Sequence, residues 1–133
     1  MIINADCALP DISSHGPFKA VMSIEQSVSA DRQAEISSWL VEMGCRYVMA
    51  CGKDSDSWCE SIRAANRRTL DVDHLEARDI VMTTSHVREP MRSVFWFAKK
   101  VANHPEVAFE SFFVIHLAER DRSTEFTAIY EKA

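Results

Sequence analysis

The chain has 133 residues, with 15 Lys and Arg against 20 Asp and Glu for a net charge of −5 at neutral pH; 47% of it is hydrophobic and 26% charged. A folded chain of this length buries roughly two thirds of its unfolded surface, so intrinsic disorder and small disulfide-stapled scaffolds are excluded. The acidic balance argues against a protein whose main task is neutralising phosphates, and the 3 glycines (Gly16, Gly44, Gly52) cannot write a glycine-rich phosphate cradle.

Residues 1–17 read as an irregular N-terminal arm. They lack the basic start and continuous apolar run of a secretory signal, and no stretch reaches the roughly 18 apolar residues of a membrane span, so a cytoplasmic location is expected. The run FKAVMSIE from Phe18 to Glu25 is short and apolar, as a strand should be. After it, Ser29 suits a helix N-cap, Ile36, Trp39, Leu40 and Met43 share one helical face, and Gly44 sits where a left-handed stop belongs.

CRYVMACG then reads as a strand buried on both faces. Ser57 and Glu60 form an S-x-x-E box opening a second helix, whose inward stripe is Trp58, Ile62 and Ala65. The charged connection RRTLDVDHLEAR leads to a third strand, DIVMTTSH. Pro90 opens a third helix, with Met91, Val94, Phe95, Ala98, Val101 and Ala102 inward and Trp96 among Arg92, Lys100 and Asn103 on the opposite side; Pro105 ends it. SFFVIHLA is a fourth strand. TEFTAIY alternates and is expected to return as an antiparallel edge strand.

Three strand–helix repeats predict a single domain over residues 1–133. The fold expected is a small three-layer α/β sandwich of four parallel strands plus an antiparallel edge strand, flavodoxin- or Rossmann-like, with order 2-1-3-4-5 favoured.

In such a sheet, ligands bind at the carboxyl ends of the strands. The richest end is TTSHVRE, where Thr84, Ser85, His86 and Glu89 precede a helix start, and His86 with Glu89 are the catalytic candidates. The turn GKDSDSW adds Lys53, Asp54 and Asp56, and Glu25 ends the first strand. His116 lies within an apolar strand and reads as a core or rim histidine with a hydrogen-bond partner. Cys7, Cys45, Cys51 and Cys59 have no zinc-like spacing and read as reduced, buried thiols, so neither a metal nor a cofactor is expected. Cys51 ends a strand ahead of a helix, but Ser57 stands where a C-x5-R phosphatase motif needs arginine. Nucleophile-elbow, zinc-protease and kinase signatures are missing.

From about Tyr47 onward, Met82, Thr83, Thr84, His86, Glu89, Pro90, Phe95, Trp96, Phe97, Ala98, His104 and Pro105 match a pattern of M-T-T-x-H, E-P, F-W-F-A and H-P segments. In this the chain resembles an uncharacterised family of small bacterial proteins. The resemblance implies a bacterial, intracellular α/β domain and brings no activity with it. Ser85 stands where that family commonly has an aromatic residue.

Two functions are expected from this reading. The first is a non-enzymatic module that binds another protein, as an immunity or regulatory partner in a bacterial defence system. Its acidity favours a basic partner, and Trp96, Arg92 and Lys100 are the contact candidates. The alternative is a small-molecule or nucleotide site at the strand ends, hydrolytic if His86 and Glu89 act on a phosphate held by Lys53. Self-association through TEFTAIY is a third possibility.

Overall fold

The computed structural model describes residues 2–5, 8–118 and 120–133. The three longest apolar runs become the centre of one sheet: β2 (Phe18–Ile24), β3 (Cys45–Gly52) and β5 (Ser111–Leu117). Strands buried on both faces need no polar alternation, which is why these segments are almost continuously apolar. The two shorter and more polar strands, β1 (Ile2–Asn4) and β4 (Met82–His86), take the edges. The order is β1-β5-β2-β3-β4, and every pairing is parallel.

Helices α1 (Ala30–Met43) and α2 (Ser55–Thr69) cover one face, and α3 (Met91–Lys100) and α4 (Ser123–Lys132) the other. The first face packs Ile36, Trp39, Leu40, Trp58 and Ile62 against Ala20, Met22, Val48 and Ile115. The second packs Val94, Phe95, Ala98 and Phe126 against Val21, Met49 and Val114. Each of the Val, Leu, Ile, Phe and Met side chains among these contributes about 1.5–3 kcal/mol on removal from water.

Two lysines tie the second layer together. Lys19 of β2 donates to the carbonyls of Ala98 and Ala102 at the end of α3, and Lys99 of α3 donates to the carbonyl of Tyr130 at the end of α4. Each places a cation where helix carbonyls lack partners, and burial holds the Lys19 amine below its ordinary value.

Four expectations are corrected. TEFTAIY is not a strand but lies in α4: Phe126, Ile129 and Tyr130 recur at helical spacing and pack on the α3 side of the sheet, so the sheet has no antiparallel edge among the described residues. The order 2-1-3-4-5 fails because the last strand inserts between β1 and β2 instead of adding outside β4. The arm is not wholly irregular, since Ile2–Asn4 pairs with Val114–His116. Finally, α2 begins two residues ahead of the Ser57/Glu60 box, with Asp54 at its cap, and Glu60 pairs with Arg63 instead.

Other local signals hold. The Ser29 hydroxyl accepts from the Arg32 backbone N–H, and Gly44 ends α1 at φ 103°. Cys45, Cys51 and Cys59 are buried free thiols, while Cys7 lies outside the described residues. In α3, Val94, Phe95 and Ala98 are buried as expected, and so is Ala102 just past its end, but Val101 at the cap is exposed.

Candidate functional site

The register of the sheet brings one polar row together at its carboxyl end. Asn4 lies opposite His116, His116 opposite Ser23, Ser23 opposite Cys51, and Cys51 opposite His86. Paired residues of a parallel sheet point to the same face, here the one covered by α3 and α4. The row therefore crosses all five strands, and the side chains of His116, Ser23, Cys51 and His86 are buried in it.

At the β4 end, the His86 ring bonds to two groups: Nδ1 to Glu89 Oε2 at 2.9 Å and Nε2 to Thr84 Oγ1 at 2.8 Å. A carboxylate can only accept, so Nδ1 carries the proton and the threonine hydroxyl donates to Nε2. Thr84 and His86 meet because strand residues two apart share a face. Glu89 returns to the ring because Arg88 takes a left-handed conformation at φ 61°. Only Asp54, at φ 57° in the turn after β3, shares that conformation among the described non-glycine residues. Strained backbone of this kind costs about 1–3 kcal/mol and tends to gather at functional sites; both cases sit on the carboxyl-end rim.

The second cluster lies between β5 and β2, where successive connections leave toward opposite faces and an open α/β sheet forms its crevice. His116 Nε2 donates to Glu25 Oε2 at 2.6 Å, and Arg122, from the start of α4, donates to the other oxygen of Glu25. Arg122 also pairs with Glu125 at 2.7 and 3.0 Å and lies over the Phe126 ring. Burial pushes the Glu25 carboxyl up, but the His116 hydrogen bond and the Arg122 charge outweigh it and hold the group below its ordinary value. An open recess of about 320 Å³ beside the cluster is lined by Glu25, Gln26, Ala118 and Arg120.

The sequence candidates thus fall into four groups. Thr84, His86 and Glu89 form one hydrogen-bonded chain. Ser85 points to the other face and donates to Ser55 Oγ at 3.0 Å. Lys53 and Asp54 are exposed on the β3–α2 turn and Asp56 in the first turn of α2; Asp54 accepts from Ser27 Oγ at 3.1 Å, and no bond joins Lys53 to His86 among the described residues. Glu25 belongs with His116 and Arg122. Arg122 was not singled out in the sequence, and nothing local marks a residue whose partner lies 97 positions away.

Chemically, the two histidine–carboxylate pairs are engaged with their own neighbours. Both nitrogens of His86 and both oxygens of Glu25 are engaged. Burial, with the nearby Glu89 charge, pushes the Cys51 thiol up to about 12, so it is not a thiolate nucleophile at neutral pH. No grouping of three or more metal-ligating side chains occurs among the described residues.

On the outward side of α3 the situation is reversed. Arg92, Trp96 and Lys100 recur every four residues and form one exposed line. Trp96 is 51% exposed, whereas Trp39 and Trp58 are buried. No hydrogen bond, ion pair or ring contact engages these three side chains among the described residues.

The protein is thus a parallel α/β sandwich with two buried histidines, each paired with an exposed carboxylate, on its carboxyl-end rim and an unpartnered cationic and aromatic strip on one helix. No helix is long and apolar enough to cross a membrane among the described residues. The chain belongs to the family described as domain of unknown function DUF7684, whose profile matches residues 2–133. No curated protein and no solved structure matches it.

Proposed function

We propose that the domain is a non-enzymatic module that binds another protein through the Arg92–Trp96–Lys100 strip of α3. The observation that carries this reading is the half-exposed indole of Trp96 between two unpaired cations, on a helix whose other aromatic side chains pack inward. Tryptophan and arginine supply a large share of binding energy where they anchor an interface. The two engaged histidine–carboxylate pairs support the same reading, because polar groups that satisfy one another leave little to offer a substrate.

In this reading the domain works in the bacterial cytoplasm as an immunity or regulatory partner of a defence system, a setting supported by its small size and missing catalytic signatures. A net charge of −5 draws a basic partner from a distance, while the strip itself meets carboxylates at the contact.

A photoreactive amino acid placed at position 96, and separately at position 53 on the rim, tests this in living cells. The expected result is a discrete crosslinked species containing a different protein from position 96 and none from position 53. A crosslink from position 53 alone would overturn the proposal.

One observation favours the alternative of a small-molecule site on the rim: the Thr84–His86–Glu89 chain beside the strained Arg88. Thermal shift against nucleotides and other phosphorylated metabolites tests it. A rise in melting temperature that His86→Gln abolishes supports the site, and no shift with any compound counts against it.

A further inference from the structure

The strip on α3 has a complement on the same chain. The connection from α2 to β4 carries a tip, residues 71–76, on which Val72 is 81% and Leu75 62% exposed between Asp71, Asp73 and Glu76. Hydrogen bonds at the tip are local: the Asp73 N–H donates to the Asp71 carboxylate at 3.0 Å, and the His74 N–H to the Asp71 carbonyl at 3.1 Å. Its base, by contrast, is anchored. Asn66 donates to the Asp79 carbonyl and accepts from the Val81 N–H, and His104 Nε2 donates to the Ile80 carbonyl at 2.8 Å. A fixed base therefore presents two exposed aliphatic side chains flanked by carboxylates.

We infer that the α3 strip of one chain receives the 71–76 tip of a second copy. This rests on the reading of the strip as a contact surface and goes beyond it: the second copy covers the strip in the free protein, and a different protein displaces it on binding. Asp71 and Asp73 supply the charges that Arg92 and Lys100 lack, and Val72 and Leu75 supply an apolar cover for the Trp96 indole. The strip runs over two helical turns, about 12 Å, a length that a six-residue tip spans.

A stable interface buries about 800 Å² per partner, more than one such tip covers. Reciprocal exchange, each tip on the other chain's strip, doubles the contact and closes a two-fold dimer. Nucleic acid is the weaker occupant, because three side chains on a chain of net charge −5 make a poor phosphate track.

Sedimentation velocity over a wide concentration range reads the outcome. The expected mass rises from 15.1 kDa toward twice that value with concentration and falls back as salt screens the charges. Trp96→Ala, the pair Asp71→Lys with Asp73→Lys, and the pair Arg92→Glu with Lys100→Glu should each return the protein to 15.1 kDa. A chain carrying both charge reversals should associate again. All these positions are exposed, and unchanged thermal unfolding confirms that the variants fold.

A wild-type chain that stays monomeric throughout overturns the inference. So does undiminished association of the Asp71→Lys, Asp73→Lys chain, which would point to the open β4 edge instead, and so does association abolished by added oligonucleotide with the tip reversals without effect. A monomeric wild type that still crosslinks a different protein from position 96 would sink this inference and leave the proposed function standing.

Discussion

His116 and His86 stand at the same level of the sheet, three strands apart, in matching surroundings. Each donates a ring N–H to a carboxylate from a loop, Glu25 or Glu89, and each meets the edge of a phenylalanine from the overlying helix layer. The centroid distances are 4.9 Å for His116 with Phe126 and 4.8 Å for His86 with Phe97. With neighbouring strands about 4.8 Å apart, the two rings are separated by roughly 14 Å.

That separation predicts independence. His86→Gln and His116→Gln should each cost about 1–3 kcal/mol, because each removes a buried ring that donates to a carboxylate. Groups more than about 10 Å apart with no shared partner add to within roughly 0.5 kcal/mol. Urea unfolding of the double variant should therefore return the sum of the singles; a larger coupling would mean that the row acts as one network.

The acid response turns on Glu25. Its carboxyl lies below the ordinary value of 4.5 in the folded protein, so its ionised form adds stability above that pH, and the contribution fades as pH falls through the folded value. Glu25→Gln should be less stable than the wild type at neutral pH, and the gap should close as the pH drops below that ordinary value. Glu125 and Asp121, also held low, are common to both proteins and cancel in the difference. A gap that widened with acid would contradict the assignment.

Tryptophan emission should divide by burial. Iodide should quench the fraction from Trp96 and leave that from Trp39 and Trp58, and Trp96→Phe should abolish the quenchable part. The same position should be nearly neutral for folding, with Trp96→Ala within about 0.5 kcal/mol of the wild type. Trp58→Ala, which empties a core position, should cost about 3–5 kcal/mol.

Thiol chemistry gives an independent check on the rim. Burial pushes both Cys45 and Cys51 up to about 12, so neither ionises at neutral pH. In a Cys7→Ser chain, a thiol-reactive disulfide reagent should label Cys45, Cys51 and Cys59 only after denaturation. Rapid labelling of native Cys51 would mean an accessible, activated thiol beside His86, and the catalytic reading would regain ground.

The sequence revealed what local chemistry controls. Continuous apolar runs announced β2, β3 and β5, Ser29 and Gly44 bounded α1, and helical spacing placed Trp96 outward with Arg92 and Lys100. TEFTAIY misled because it alternates at period two while also placing Phe126, Ile129 and Tyr130 at helical spacing; tertiary packing on α3 decided between them. Strand order was not legible, since the three-residue β1 carries almost no pattern and the place of β5 depends on pairings across the whole chain. For the site, Thr84, His86 and Glu89 could be gathered because they are neighbours in sequence. Glu25 with His116, 91 positions apart, could not.

Hydrogen exchange on the purified complex with the protein crosslinked from position 96 tests the central claim most directly. The account predicts slowed exchange in peptides covering residues 88–101 and unchanged exchange at 25–29 and 52–56. Protection of those rim peptides, with α3 exchanging as in the free protein, would contradict it.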